Sequence, residues 1–174
     1  CYNNSPRFEY CIVSGNSAND KGGGFMVYNA SPAIDHCLII NNHSNFFGEG
    51  IDLHNSSPTI SNCTVSSNDA NNNGAGISMG NSAPTIINTT VDYNVGYGIN
   101  FGANSQNCSL SYCNFFGNTF SHFQGASIPQ NLGVMITVNT NGDSCDQYYN
   151  IFQNPQYVDR LNGNFNITHN SSLI

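Results

Sequence analysis

The chain has 174 residues, 39% of them hydrophobic, which is enough for one domain with a core. Only 7% are charged, well below the roughly 25% of an ordinary soluble domain. A net charge of -7 with three Lys or Arg excludes a nucleic-acid binder, which needs cations to neutralise phosphates. No apolar run approaches the roughly 18 residues of a membrane-spanning helix, and polarity carried by Asn, Ser, Thr and Gly predicts almost no helix.

In chain order, Cys1-Tyr2-Asn3-Asn4-Ser5-Pro6 matches the middle of a phrase that returns as Tyr28-Asn29-Ala30-Ser31-Pro32, so the chain is expected to open inside a repeat and to be excised from something longer. Prolines Pro6, Pro32, Pro58 and Pro84 recur every 26 residues, a period that signals a solenoid. Glycines Gly24, Gly50, Gly76 and Gly98 keep the beat until the last interval shortens to 22. Cys11, Cys37, Cys63, Thr89 and Cys113 hold another line, and five residues after each comes Asn16, Asn42, Asn68, Asn94 and Asn118.

Within one coil, Gly76-Ile77-Ser78-Met79 alternates apolar and polar, a short strand with one face inward. Asn81-Ser82-Ala83-Pro84 is turn chemistry; Thr85-Ile86 resumes burial. Asn88, like Asn62, suits the left-handed conformation of a sharp bend, and Thr89-Thr90-Val91 is the third strand. Three short strands and three corners per turn give an all-β parallel helix of about 26 residues per coil, each strand pairing with its copy one coil away. Leucine is too scarce for the leucine-rich horseshoe.

The predicted inward ladders are Ile34, Ile60 and Ile86; Phe25, Ile51, Ile77 and Ile99; Val27, Leu53, Met79 and Phe101; and Val13, Ile39, Val65, Val91 and Phe115. Each such side chain, fully buried, contributes about 1.5–3 kcal/mol. From each Asn to the next Gly, three loops span eight positions and the fourth four, so three bulge and one is trimmed. Regular coils are expected over 1–123. Residues 124–174, with a strand at Val134–Val138, a turn at Asn139–Asp143 and one more irregular coil in the tail, are expected to form the C-terminal cap that a solenoid needs.

The phrases Ser57-Pro58-Thr59-Ile60-Ser61-Asn62-Cys63-Thr64-Val65-Ser66-Ser67-Asn68 and Gly-x-Gly-Ile, with a tail of Asn154-Pro155-Gln156-Tyr157-Val158-Asp159 and Asn162-Gly163-Asn164-Phe165, resemble the right-handed parallel β-helix repeats of bacterial secreted and surface proteins, in the pectin-lyase-like group. The resemblance covers nearly the whole chain. It implies a right-handed coil and an extracellular or cell-surface location. It does not select a function, because such coils serve lyases, epimerases, adhesins and tailspikes alike.

Residue chemistry narrows this only in part. Cys11, Cys37, Cys63 and Cys113 are read as small buried thiols, since a ladder spreads ligands along an axis instead of converging them on a metal. Their parallel side chains fit disulfide geometry badly, and the odd total with Cys1, Cys108 and Cys145 argues against a disulfide framework. Asn16, Asn42, Asn68, Asn94 and Asn118 are read as a structural amide ladder. His36, His43, His122 and His169 are read as surface or turn residues. Asn141-Gly142-Asp143 lacks the spacing of a calcium loop, and no cofactor is expected.

Enzymes that the fold resembles cluster carboxylates with a basic, Tyr or His partner on an outward groove. Here the outward columns of the glycine-led strand read Met26, Asp52, Ser78, Asn100 and then Tyr28, His54, Gly80, Gly102, with Glu49 nearby. Tyr28, Asp52, His54 and Glu49 are therefore the candidate ligand-binding residues, and no catalytic residue is assigned. Three readings stand: a non-catalytic surface scaffold or adhesive module touching polysaccharide or another surface protein; a polysaccharide-active enzyme with part of its machinery elsewhere; and an end-to-end self-assembling fibre component.

Overall fold

The computed structural model describes residues 1–70 and 74–173, and its architecture is a parallel β-helix. The first sheet stacks Phe25–Tyr28, Ile51–His54, Ala75–Gly80, Tyr97–Phe101 and Ser121–Gly125. The second stacks Arg7–Glu9, Ala33–Asp35, Thr59–Ser61, Thr85–Ile87 and Ser109–Ser111. The third stacks Ile12–Ser14, Leu38–Ile40, Thr64–Ser66, Thr90–Asp92 and Asn114–Phe116. Every pairing within these sheets is parallel and joins equivalent residues of adjacent coils: Ile34 faces Ile60, Val65 faces Val91, and Ile51 faces Ile77. The four inward ladders therefore form as read, extended by Leu110 and Phe123, and most of their members are fully buried in one core.

Each corner is built from the same two-residue device. A residue with positive φ turns the chain: Asn29, Asn55 and Asn81 at the first corner, His36, Asn62 and Asn88 at the second, Asn41, Ser67 and Tyr93 at the third. Asn tolerates that left-handed conformation because its short polar side chain can bond locally. The next residue points inward and accepts a backbone N–H that the sheet ladder has dropped. At the third corner Asn42, Asn68 and Asn94 take this place: the Asn42 N–H donates to Asn68 Oδ1 at 3.0 Å and the Asn68 N–H to Asn94 Oδ1 at 3.1 Å. At the second corner the Cys37 N–H donates to Cys63 Sγ and the Cys63 N–H to Thr89 Oγ1. At the first, missed from sequence, the Ala30 N–H donates to Ser56 Oγ and the Ser56 N–H to Ser82 Oγ.

The cysteines are thus polar acceptors as well as packing units. Cys37, Cys63 and Cys113 are buried, Cys11 is half-buried, and all seven thiols are free. Each ladder thiol donates to the carbonyl two residues back, as Cys63 does to Ser61 at 3.0 Å, and Thr89 Oγ1 makes the same bond to Ile87. A Thr can therefore stand in the cysteine line without breaking it. Burial pushes the Cys63 and Cys113 thiols up to about 12, so they remain protonated donors at neutral pH.

The structure adds to the loop reading and corrects the C-terminal one. Within the three equal loops, Ser17–Ala18, His43–Ser44 and Asp69–Ala70 stack as a fourth, short parallel sheet. Equal loop lengths keep these three coils in step, so their strands can pair. The C-terminal stretch also departs from a simple coil. Tyr149 to Ile151 does continue the stack, with Ile151 bridging Asn114, but only Thr137–Val138 of the expected Val134–Val138 strand forms, antiparallel to Ser144–Cys145. Tyr157–Asp159 and Asn164–Ile167 make an antiparallel hairpin around the 3-10 turn Arg160–Asn162. The hairpin lies along the third sheet: Arg160 Nη1 donates to Ser67 Oγ at 2.7 Å, and the guanidinium sits 4.0 Å over the Tyr93 ring.

Beyond the last regular coil the core continues into residues around Leu132 and Phe152. Leu132 is buried in the core, and Phe123 and Phe152 pack on Phe115. Buried Asp146 fastens this layer, accepting from the N–H groups of Gly133, Tyr148 and Asn150 and from Asn150 Nδ2.

Candidate functional site

The glycine-led strands put Tyr28, His54 and Gly80 in one register column on the outer face of the first sheet, and Met26, Asp52, Ser78 and Asn100 in the column beside it. Side chains in equivalent positions of a parallel stack lie about 4.8 Å apart, so aromatic rings there stack. Tyr2 and Tyr28 do so, with centroids 5.2 Å apart and planes within 4°, and His54 continues the row 6.4 Å beyond Tyr28. Gly80 ends it: the His54 ring lies beside its bare backbone, with Nδ1 3.6 Å from where a Cβ would stand.

The carboxylates are placed differently from the open groove expected. Asp52 and Glu49 are 1% and 0% exposed, and Ser78 is also buried. The loops preceding the strands fold back over the sheet. Gly48, at φ 65°, lies so close to Asp52 that a Cβ there would collide with it. Lys21, 5.7 Å over the Phe47 ring, comes near enough to draw on the Asp52 charge. The alternation of the strand sets which way Asp52 points, but the loops decide whether it meets water.

Asp52 is brought together with His54, whose Nε2 is 2.9 Å from Oδ2. Burial pushes the Asp52 carboxyl up, against the pull of His54 and Lys21. The opposite ring nitrogen, Nδ1, faces the bare backbone of Gly80. Glu49 is not part of that pair. Its carboxyl is packed against the backbone of Gly74, and neither oxygen has a hydrogen-bond partner among the described residues. Burial pushes it up to about 8, the nearby N–H groups of Glu49 and Ala75 offsetting only part of that and the charges of Asp69 and Asp52 adding to it.

The exposed chemistry of the face is thus an aromatic strip, Tyr2, Tyr28 and His54, with the His54 ring lying against a buried carboxylate. Among the described residues no cluster of three His, Cys, Asp or Glu is arranged to hold a metal ion, and no helix is long and apolar enough to cross a membrane. The asparagine line lies at the third corner, where Asn42, Asn68 and Asn94 are fully buried, Asn118 nearly so, and Asn16 is exposed. Asn16, Asn42, Asn68 and Asn94 each donate Nδ2–H to Oδ1 of the next. A family model described as a right-handed beta helix region matches residues 1–172. No curated protein and no solved structure matches the chain.

Proposed function

Because the chain belongs to the right-handed β-helix family, we propose that it is a non-catalytic extracellular or cell-surface module whose rigid coils present a carbohydrate-binding strip on the first sheet. The observation that carries this reading is the contrast in exposure on one face. Asp52 and Glu49 are enclosed, whereas Tyr28 and His54 meet solvent. A glycosidase needs two carboxyl groups flanking one bond, and a lyase needs a base open to its substrate. A binding face needs a flat aromatic body with a few fixed polar groups, which Tyr28 and the Asp52-oriented His54 supply.

The enzymatic reading rests on one observation, Glu49, since a carboxyl protonated at neutral pH is what a general acid requires. The Gly74 backbone that roofs it weighs against that role. One experiment separates the two: the protein is incubated with soluble and insoluble polysaccharides, and both retention on the solid and release of reducing or unsaturated ends are measured. Retention lost in Tyr28→Ala without any release supports the binding module. Release that disappears in Asp52→Asn or Glu49→Gln overturns it.

A further inference from the structure

The second corner carries a feature that the first sheet does not share. Its turning residues are Tyr10, His36, Asn62, Asn88, Tyr112 and Tyr149, all at positive φ. They form one line along the coil, and their side chains project outward. Tyr10 stacks on His36 at 4.9 Å, and Tyr112 on Tyr149 at 5.4 Å with planes within 5°. Two rings that close cannot lie side by side in one plane, so the faces of the tyrosine pair look along the helix axis. Between the two aromatic pairs the corner line carries the amides of Asn62 and Asn88, joined by a hydrogen bond of 3.4 Å; Asn62 Nδ2 also donates to Asp35 Oδ1, and hairpin residues Gly163 to Asn166 border the His36–Asn62 side. An amide is shorter than a phenol, so the ridge drops there. The result is a notch with His36 at one end and Tyr112 at the other, three rungs apart, or about 14 Å.

At the Tyr112 end the notch opens into a cleft of about 580 Å³, lined also by Thr90 and Asn114 of the third sheet and by Thr140 of the C-terminal region. That volume lies in the range of small-molecule sites. Tyr112 and Tyr149 are 57% and 44% exposed. Among the described residues no charged side chain lines the cleft, although the chain as a whole carries a net charge of -7.

We propose that this cleft and notch bind a neutral oligosaccharide. The apolar face of a sugar ring packs on the Tyr112 face that Asn88 leaves bare, and its hydroxyls meet the Asn88 amide and the Thr90 hydroxyl. Amides and hydroxyls both donate and accept, which matches sugar hydroxyls. An acidic sugar would enter a lining with no cation to compensate its desolvation. The His36 end differs, because Asp35 lies 3.1 Å from the His36 ring and Arg7 adjoins it, so the sugar-binding end is the one at Tyr112. The site is separate from the Tyr28–His54 strip and does not depend on it.

The test is calorimetric titration of the full chain with maltotetraose, cellotetraose and mannotetraose as neutral probes and a uronic-acid tetrasaccharide as the acidic one. Tyr112→Asn places at this corner the residue that Asn62 and Asn88 already show to fit its left-handed backbone, so the fold is retained. Asn88→Tyr fills the notch by continuing the stack. At least one neutral tetraose is expected to bind wild type and to bind roughly tenfold more weakly, about 1.4 kcal/mol, to each of these variants, while Leu161→Ser, an exposed change outside the cleft, leaves binding unchanged. The proposal is overturned if no neutral tetraose binds at about millimolar concentration, if both variants bind like wild type, or if the acidic probe binds with the same dependence on Tyr112. Binding abolished by Tyr28→Ala alone would sink this site and leave the first-sheet strip standing.

Discussion

Asn68 is the member of the corner ladder whose removal is most informative, because it is bonded on every side. Oδ1 accepts from the Asn42 N–H and from Asn42 Nδ2, each at 3.0 Å, and Nδ2 donates to the Ile39 carbonyl and to Asn94 Oδ1, each at 3.0 Å. Asn68→Ala deletes all four and leaves a buried Asn42 N–H without an acceptor. At about 0.5–1.5 kcal/mol net for each bond, the expected loss is about 4 kcal/mol. For a chain of this size that lowers the melting temperature by roughly 8–16 °C. Asn16→Ala is the internal control: Asn16 is exposed and its side chain makes one ladder bond, to Asn42 Oδ1, so the expected loss is under about 1 kcal/mol. Asn68→Asp tests direction as well as number. A carboxylate keeps the two acceptor bonds but replaces Nδ2, the source of both donor bonds, by an oxygen facing the Ile39 carbonyl and Asn94 Oδ1, so it should cost at least as much as alanine. The measurement is urea unfolding followed by circular dichroism. Equal losses for Asn68→Ala and Asn16→Ala, or tolerance of Asn68→Asp, would show that the line is held by shape and not by two-way hydrogen bonding.

Two further expectations concern the loops and the enclosed acids. Gly48→Ala should cost more than Gly142→Ala, by about 1–3 kcal/mol: both glycines have positive φ, but only at Gly48 does the added Cβ strike Asp52, while the surroundings of Gly142 are open. Equal effects in thermal unfolding would mean that the loop does not press on the sheet. The second is that stability should fall as pH rises from about 5 to 8. Glu49 and Asp92 are pushed by burial up to about 8 and about 6, above their unfolded values of about 4.3 and 3.9, so the folded state holds protons that the unfolded state releases. Their favourable contribution is complete below the unfolded values and is lost as pH passes the folded ones, at about 1.4 kcal/mol for each pH unit separating the two. His122, pushed down by burial, acts in the opposite direction only below its ordinary pKa. Glu49→Gln should therefore flatten the upper part of the melting-temperature profile, and a profile that rises from pH 5 to 8 in wild type would contradict the assignment.

The coils were legible because a parallel β-helix repeats its environment at a fixed interval. Each inward position meets its own copy above and below, so Ile34, Ile60 and Ile86 face one selection for shape and show it as a period. The ladders of Asn42, Asn68 and Asn94 and of Cys37, Cys63 and Thr89 were visible for the same reason, though the acceptor role of the thiols was hidden by cysteine's usual reading as a small apolar residue. The burial of Asp52 was not legible. Alternation along Ile51–His54 gives its direction correctly, but its cover comes from a loop that Gly48 bends back, and no local pattern states where a loop comes to rest. The hairpin at Tyr157–Ile167 was missed for a related reason: its partners, Ser67 and Tyr93, lie many residues upstream.

The two-residue corner also explains where variation can accumulate without unmaking the coil. The second residue is committed inward: Cys37, Cys63, Thr89 and Cys113 change only between side chains that can donate to the carbonyl two residues back. The first residue is committed only in its backbone. At the second corner Tyr10, His36, Asn62, Asn88 and Tyr112 all hold φ between 48° and 54°, yet their side chains differ in size, polarity and charge state. The left-handed conformation costs about 1–2 kcal/mol for an ordinary residue with a Cβ and less for Asn, and every rung keeps it whatever its side chain does outside. A coil can therefore exchange an amide for an aromatic ring at this corner and change its surface without changing its core, and the step from Asn88 to Tyr112 is such an exchange.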